Sequence, residues 1–255
     1  MGTAMIAGLV NNDAGPQLLV VEATQARRDV VRENFGIDAQ QRYDPGSAEA
    51  VILAIQPQQF SEFAMEQVEG AFDDTLVVSV MAGVGIPAMT KLLGTARVIR
   101  SIPNTPSEVG NGMTVLSPGS AATSDDTALA EILLSRFGRV LTVSDEALMD
   151  DATALCGGGP AFVAHIAGAF CDFAVKAGFL PDQARLMTYQ VLRGTAELLG
   201  SSDRTPQELC SEVMTPGGTT EQGIFHYRDK GLQEIIVEGL SKAAHRSREL
   251  GGMIQ

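Results

Sequence analysis

The chain reads Glu212-Val213-Met214-Thr215-Pro216-Gly217-Gly218-Thr219-Thr220-Glu221-Gln222-Gly223 over residues 212–223. The proline favours an extended residue before it, and the glycine pair lets the backbone come close to a ligand. The pattern predicts a loop that feeds a helix, with Thr219 as the N-cap and Gln222 three residues later. The first N–H groups of such a helix carry partial positive charge, so they would hold a small carboxylate. An ordinary tight loop before a helix would show the same pattern.

A second glycine-rich stretch lies upstream and reads Leu155-Cys156-Gly157-Gly158-Gly159-Pro160-Ala161-Phe162. Two such turns, each opening a helix, are hard to explain as linkers. Together they resemble the S-G-S-G-P-A-Y and S-P-G-G-T-T turns in the helical C-terminal domain of the pyrroline-5-carboxylate reductase family.

Three further motifs extend this resemblance over most of the chain. Ala54-Ile55-Gln56-Pro57 resembles the family's A-V-K-P. Residues 78–84, V-S-V-M-A-G-V, are similar to V-S-x-A-A-G-V, and residues 97–106, R-V-I-R-S-I-P-N-T-P, to R-V-I-R-x-M-P-N-T-P. The resemblance rests on five motifs that stand in the family's order. No single motif would be sufficient.

The composition argues against several classes of partner. Lys and Arg total 18 against 31 Asp and Glu, a net charge of −13, which disfavours nucleic acid and acidic membranes. The 3 cysteines, Cys156, Cys171 and Cys210, show neither disulfide-framework nor zinc-ligand spacing, so we expect reduced thiols and no metal. We find no signal segment and no apolar run of membrane length. These features predict a cytoplasmic protein with no membrane or nucleic-acid partner.

The beginning of the chain departs from the usual dinucleotide-binding pattern. Residues 1–10 read as a helix, whereas such a domain normally opens with a strand that runs into G-x-G-x-x-G. By resemblance to the family opening I-G-F-I-G-A-G-N-M-G, Met1-Gly2 occupies the last two motif positions. We therefore expect the first strand and two of the three glycines to be missing, which would leave a gap in the sheet and weaken binding of NADH or NADPH. A misassigned start is the preferred explanation, ahead of a fragment or a genuine variant.

Apolar runs alternate with helical patterns through about residue 145, and beyond that point strand signals nearly vanish. This predicts an α/β Rossmann-like domain at 1–145, with a doubly wound parallel sheet, and an all-helical domain at 146–255. The resemblance implies that the helical domain binds substrate and forms an interleaved homodimer, with each active site using both subunits. The predicted strands are residues 50–55, 75–81, 98–102, 113–117 and 140–143.

Glu22 follows the short apolar run Gln17–Val21, close to the acidic position expected after a glycine turn. A carboxylate there accepts hydrogen bonds from the adenosine ribose and repels a 2′-phosphate, which favours NADH over NADPH. Arg27 and Arg28 are a counter-signal, because either could meet that phosphate. A solvated strand end is the alternative role of Glu22.

The resemblance implies further cofactor contacts at the ends of the strands. Gln56 stands where the family usually has lysine, and Glu212 replaces the usual Gln or Asn. Asn104 could bond either the nicotinamide amide or nearby backbone. The residues assigned in this way to NADPH or NADH are Gly2, Glu22, Ala54, Ile55, Gln56, Pro57, Met81, Ala82, Gly83, Asn104 and Glu212.

The reaction that the resemblance implies is hydride transfer to the C=N carbon of 1-pyrroline-5-carboxylate, giving L-proline in proline biosynthesis. The backbone of Gly217, Gly218 and Thr219 would hold the substrate carboxylate, and the Thr220 hydroxyl would bond the ring nitrogen as the catalytic contact. Asp203 falls at a family Glu position near the substrate, with a shorter side chain. A protonated imine already carries the charge that draws the hydride, so the protein mainly orients two ligands.

The departures at Gln56, Glu212 and the Gly157–Gly159 turn leave two alternatives open. One is a reductase of another small cyclic imine or keto acid on the same scaffold. The other is a non-catalytic paralogue with impaired cofactor binding that serves as a binding or regulatory subunit.

Overall fold

The computed structural model of the protein covers residues 2–10 and 16–252. The chain divides into two compact units. One consists of Met1–Pro160 together with Ser241–Gln255, and the other is Ala161–Leu240. The end of the chain therefore belongs to the same unit as its beginning.

The first unit is built on a five-stranded sheet in which the strands follow chain order, β1-β2-β3-β4-β5. Neighbouring strands run parallel, except that β3 and β4 are antiparallel. The predicted mostly parallel, Rossmann-like sheet is therefore confirmed. Its strands are β1 Ala50–Leu53, β2 Leu76–Ser79, β3 Val98–Ile102, β4 Gly112–Pro118 and β5 Gly138–Thr142.

Continuous apolar runs form the central strands because both faces of the sheet are covered. In β2, Val77 packs into one hydrophobic cluster beside Phe60, whereas Leu76 and Val78 pack into a second cluster beside Leu134. Successive side chains of a strand point to opposite faces, so one strand contributes to both cores. Burying each such side chain stabilises the fold by about 2 kcal/mol.

Helices and single turns connect the strands of this unit. In α1, Met5 and Leu9 are buried as their spacing predicts. A left-handed Gly36 ends α2, and α5 begins with a capping box between Thr123 and Asp126. The helices are α1 Gly2–Val10, α2 Gln25–Phe35, α3 Phe60–Met65, α4 Ile86–Leu93, α5 Ser124–Leu134 and α6 Met149–Ala152. Short 3-10 turns lie at Pro57–Gln59, Thr105–Val109, Ser135–Phe137 and Glu146–Leu148.

The apolar run Gln17–Val21 does not join the five-stranded sheet. Val21 forms an isolated parallel bridge with Gln40, and the amide of Glu22 donates to the Gln40 carbonyl at 2.9 Å. Within residues 2–10 and 16–252, β1 pairs with β2 alone. Among the described residues β1 is therefore an edge strand of the sheet; Met1, which belongs to the predicted glycine motif, lies outside them.

The rest of the chain is helical, as predicted. Its helices are α7 Gly159–Lys176, α8 Pro181–Gly200, α9 Pro206–Val213, α10 Thr219–Asp229 and α11 Leu232–Gly252. Residues 155–162 differ from the expected glycine turn, because Thr153–Gly157 is a π-helix and α7 starts two residues later. Pro160 can stand there because proline fits the first turn of a helix, where its missing N–H is not needed. Gly157 thus ends a widened helical turn, and Gly158 forms a bend before Gly159 opens α7.

One segment, Glu146–Lys176, is long and apolar enough to cross a membrane by length and composition alone. An 18-residue stretch of this segment has a mean hydropathy of 1.4, and only 11% of the stretch is buried. We expected no apolar run of such length, and this segment corrects that expectation. Its apolar side chains face outward in the single chain.

An ion pair between the partly exposed Arg97 and the buried Asp126 fixes α5 to the sheet and contributes to stability. Arg97 Nη2 donates to Asp126 Oδ1 at 2.6 Å, and the Thr123 amide donates to the same carboxyl at 2.9 Å. The hydrogen bond from Arg97, aided by those from Thr123, outweighs burial and lowers the pKa of Asp126 from 3.8 to about 2. The lowered pKa means that the stabilisation is complete above pH 4 and is lost as pH falls toward 2.

We expect Asp126→Asn to lower the free energy of unfolding by about 2 kcal/mol at pH 7, because the variant lacks the charge that Arg97 contacts. Urea denaturation at pH 7 and pH 3 measures this, and the difference from wild type should shrink at the lower pH. Asp125→Asn is the matched control, since Asp125 is the exposed neighbour in the same turn. An equal loss at both pH values would contradict the assignment.

Candidate active site

The carboxyl ends of β1 and β2 meet at one edge of the sheet, because the two strands are parallel. After β1 the chain exposes Ala54 and Gln56, whereas Ile55 and Pro57 are half-buried. Gly2 belongs to the same place, since a methyl group built on it would lie 3.7 Å from the Ala54 Cβ. In an open α/β sheet this edge is where a ligand binds. The structure therefore brings the N-terminal and β1-end residues of the predicted cofactor site together.

The loop after β2 lies at the same edge and is held at both ends. The Met81 amide donates to Ser79 Oγ at 3.2 Å, and the Ile86 amide donates to Glu146 Oε1 at 2.7 Å. Met81 points into the core and is 1% exposed, so the whole residue is buried at this edge. Ala82 is exposed, and Gly83 has a φ of 76°, which favours glycine. The edge therefore offers backbone and small side chains, which fit a flat ring.

A buried arginine stands behind this loop. Arg100, in the middle of β3, is 4% exposed. Its guanidinium contacts Glu146 Oε1 at 3.3 Å and Asp150 Oδ1 at 2.9 Å. The Ser247 hydroxyl, in α11, donates to the same Asp150 oxygen at 2.7 Å. The two carboxylates compensate the charge of Arg100, whereas its Nε is buried without a hydrogen-bond partner among the described residues. The network runs from the sheet to α11.

Glu22 lies at the other expected end of the cofactor site, and its carboxylate is engaged locally. Glu22 Oε1 accepts from the Thr24 amide at 3.1 Å, and Glu22 Oε2 lies 3.7 Å from Arg27 Nη1. Arg28 Nη1 donates to the carbonyls of Glu22 and Ala23, both at 2.7 Å. Arg28 is therefore committed to the backbone, and the side chain that remains exposed beside Glu22 is Arg27.

Asn104 does not present its amide to the sheet edge. Its Nδ2 donates to the Cys156 carbonyl at 3.2 Å, and its Oδ1 accepts from the Met113 amide at 2.9 Å. The side chain is 9% exposed and connects the end of β3 to β4 and to the π-helix. Of its two possible roles, the structure thus supports hydrogen bonding to backbone. Burial also raises the pKa of the Cys156 thiol.

The proline-diglycine turn is exposed in the helical unit. Gly217 has a φ of 75°, and the Gly218 amide donates to the Thr215 carbonyl at 2.8 Å. Gly218 is the N-cap of α10, so the prediction that Thr219 caps this helix is wrong. The Gly217 amide donates to Glu221 Oε2 at 2.8 Å. A carboxylate thus already lies at the backbone position where a substrate carboxylate was expected.

The remaining predicted side chains also lie in the helical unit. Thr220 is exposed in the first turn of α10, and Asp203 is exposed in the loop before α9. Glu212 Oε2 pairs with Arg204 Nη1 at 2.9 Å. The salt bridge gives Glu212 a local partner that the sequence did not indicate.

Two features escaped the sequence analysis. The network around Arg100 had one visible signal, a charged residue inside the predicted strand Val98–Ile102. Glu221 stands within the quoted turn, but its contact with Gly217 depends on a helical side-chain rotamer that spacing does not reveal. The described residues contain no cluster of three or more His, Cys, Asp or Glu that could hold a metal ion.

Comparisons with known proteins cover the whole chain. The family model described as pyrroline-5-carboxylate reductase dimerisation matches residues 146–250, and that described as NADP oxidoreductase coenzyme F420-dependent matches residues 1–83. A pyrroline-5-carboxylate reductase from Synechocystis sp. is 33% identical, over 98% of this chain and 95% of the relative. One from Arabidopsis thaliana is 30% identical, over 98% and 92%. The structure of such a reductase from Coxiella burnetii is 31% identical and matches with a TM-score of 0.89, over 98% of this chain and 94% of that one.

The hydrogen bonds of Asn104 allow a structural role of this side chain to be tested separately from a role in ligand binding. Asn104→Ala should lower the free energy of unfolding by about 1–3 kcal/mol, because it leaves the Met113 amide and the Cys156 carbonyl without partners. Thermal denaturation measures the loss, with Asn111→Ala as an exposed control from the following loop. A variant of unchanged stability would show that these backbone contacts contribute little.

Proposed function

Because this chain belongs to the pyrroline-5-carboxylate reductase family, we propose that it reduces the C=N bond of 1-pyrroline-5-carboxylate to give L-proline. It is an NAD(P)H-dependent oxidoreductase. The observation that carries this conclusion is the near-complete overlap with the cyanobacterial reductase, which includes both the sheet and the helical region. An activity in proline biosynthesis follows from the product.

The residues at the sheet edge fit a nicotinamide cofactor. Ala82 is exposed, Gly2 is half-buried and Gly83 is buried against the end of α11, and the Ala54–Pro57 segment extends the same edge. We assign these residues to cofactor binding, with the buried Met81 and Gly83 shaping the loop. The reduced nicotinamide supplies the hydride. The protein's part there is to present a rigid surface against which the ring is oriented.

The substrate is assigned to the proline-diglycine turn. The backbone of Gly217, Gly218 and Thr219 stands at the start of α10, where the helix dipole favours a carboxylate. The Gly218 amide is bonded to the Thr215 carbonyl, so the donors to the substrate would be the amides of Gly217 and Thr219. Glu221 accepts from the Gly217 amide in the free protein, so the substrate carboxylate would replace the Glu221 carboxylate at that N–H. The replacement exchanges one anion for another at Gly217.

Thr220 is assigned to the imine itself. Its hydroxyl is exposed in the first turn of α10 and can donate to, or accept from, the ring nitrogen. A protonated imine needs no strong acid, since the positive nitrogen already makes the adjacent carbon electrophilic. Orientation by one hydroxyl therefore suffices for the residue's part in the reaction. Asp203 is a secondary candidate for contact with the substrate. Glu212 is a secondary candidate for contact with the cofactor, through the carboxylate that pairs with Arg204.

The protein is a homo-oligomer, and we assign the exposed apolar side chains of α7 and α8 to an interleaved dimer interface. The dimerisation family model covers this region, which explains why a helix of membrane-like composition is exposed in one chain. The side chains concerned include Phe162, Val163, Ile166, Phe170, Phe173, Leu186 and Tyr189.

We assign the enzyme to the cytoplasm, where NADH and NADPH are supplied.

The experiment that tests the proposed activity is an assay of the purified protein with 1-pyrroline-5-carboxylate, run in parallel with NADH and NADPH. Oxidation of the nicotinamide should match the L-proline formed, mole for mole. A six-membered cyclic imine and a small keto acid serve as comparison substrates. Faster turnover of either would assign the scaffold to a different substrate, and no turnover of any would support a non-catalytic role.

Removing the Thr220 hydroxyl should slow the reaction. Thr220→Ala should reduce kcat by about tenfold, the scale of one oriented hydrogen bond of about 1.4 kcal/mol, while the fold is retained. Thr219→Ala is the matched control, because Thr219 is assigned to the substrate through its backbone amide only. Steady-state kinetics and circular dichroism measure both variants; equal losses in the two would remove Thr220 from its assigned role.

The carboxylate of Glu22 should favour NADH over NADPH. Glu22→Ser removes a charge that would repel a 2′-phosphate, so the ratio of kcat/KM for NADPH to that for NADH should rise by about tenfold. Parallel kinetics with the two cofactors measure this ratio. Glu33→Ser, an exposed carboxylate farther along α2, should leave the ratio unchanged. A ratio that moves equally in both variants would point to a general charge effect.

A further inference from the structure

The last turn of α11 lies directly against the loop after β2. A methyl group built on Gly251 would lie 2.5 Å from the Gly83 carbonyl oxygen, and one built on Gly83 would lie 3.3 Å from the Gly251 amide nitrogen. Real Cβ atoms do not approach as closely as the first of these distances. The two backbones therefore touch at a place where both residues must lack a side chain.

This end of α11 is itself anchored to the sheet unit. The buried Ser247 donates its hydroxyl to Asp150 Oδ1 at 2.7 Å. Arg248 Nη2 contacts both carboxylate oxygens of Asp151, at 2.8 and 2.7 Å. The Arg248 pair is half-exposed and contributes little on its own. Two successive residues of α11 thus bind two successive residues of α6.

The same anchor reaches the far side of the loop. Arg100 joins Asp150 to Glu146, and Glu146 accepts from the Ile86 amide at the first residue of α4. The loop between Met81 and Ile86 is therefore held at its end by Glu146 and along its side by α11. A loop held from both directions has its backbone positioned before any ligand arrives.

We propose that the last turn of α11 positions the loop after β2 for the reduced nicotinamide, and that Gly251 is a positioning residue for hydride transfer. The inference rests on the proposed function, since it takes this loop to be part of the cofactor site. A side chain at position 251 would displace the Gly83 backbone, because the anchored helix end resists movement. The displaced loop would bind the nicotinamide less well without touching the substrate turn.

The test compares Gly251→Ala with Gly252→Ala in the full-length protein. The two substitutions add the same methyl group to the same helical turn, but a methyl group on Gly252 meets nothing within 4 Å. In Gly251→Ala the Kd and KM for NADH should rise by about tenfold, the size of effect that one misfitted methyl group usually has. The KM for 1-pyrroline-5-carboxylate should stay within about twofold of wild type. Gly252→Ala should match wild type in all three constants.

Three results would overturn the proposal. The first is an unchanged Kd and KM for NADH in Gly251→Ala, and the second is an equal change of these constants in both glycine variants. The third is a parallel change in the KM values for NADH and for 1-pyrroline-5-carboxylate. If Gly251→Ala does not fold, Ser247→Ala replaces it. This variant removes one hydrogen bond from the anchor, and it should raise the KM for NADH by about threefold with little change in Tm. An unchanged KM for NADH in Ser247→Ala would then overturn the proposal.

The design separates this inference from the proposed function. NADH binding is measured by fluorescence titration without any imine substrate. If wild type binds NADH but does not reduce 1-pyrroline-5-carboxylate, the proposed function fails, and the two glycine variants still decide whether α11 positions the loop. If the enzyme turns over normally in Gly251→Ala, the positioning role fails and the function stands.

Discussion

A buried cation in the middle of the sheet is the constraint on which the cofactor edge depends. Arg100 sits in a buried strand and is 4% exposed, so its charge is stable there only beside Glu146 and Asp150. Removing one partner of such a buried pair typically costs about 3–5 kcal/mol. Because the two carboxylates follow β5 in the chain, the ion pairs fix the segment after the sheet to the sheet itself, and with it the start of α4.

The proposed cofactor site and the proposed substrate site are held in place in different ways. The loop after β2 is preformed, with hydrogen bonds at both ends and α11 along its side. The proline-diglycine turn is exposed, and Glu221 satisfies one of its amides. An exposed turn and an exposed apolar helix in one chain both fit a family whose helical region is a dimerisation domain. Under the proposed assignment, the ring is oriented against a rigid edge and the substrate is received at an accessible helix terminus.

Much of this could be predicted from the sequence, because strands covered on both faces give long apolar runs and the family's turns stand in order. The strand at residues 98–102 and the helix starts at Pro181 and Pro206 follow from such local signals. The π-helix at Thr153–Gly157 could not be predicted, since glycines normally indicate a turn and only packing shows that the helix continues. Contacts between distant residues, such as Arg100 with Asp150 or Gly83 with Gly251, leave no periodic pattern.

A crystal structure of the protein with NADH and a non-reducible five-membered ring carboxylate tests the central claim most directly. The account predicts the nicotinamide ring against the loop Met81–Gly83, and the ligand's carboxylate on the amides of Gly217 and Thr219 with the Glu221 side chain moved away. A nicotinamide bound away from the β2 loop, or a carboxylate bound elsewhere while Glu221 keeps its contact, would contradict it.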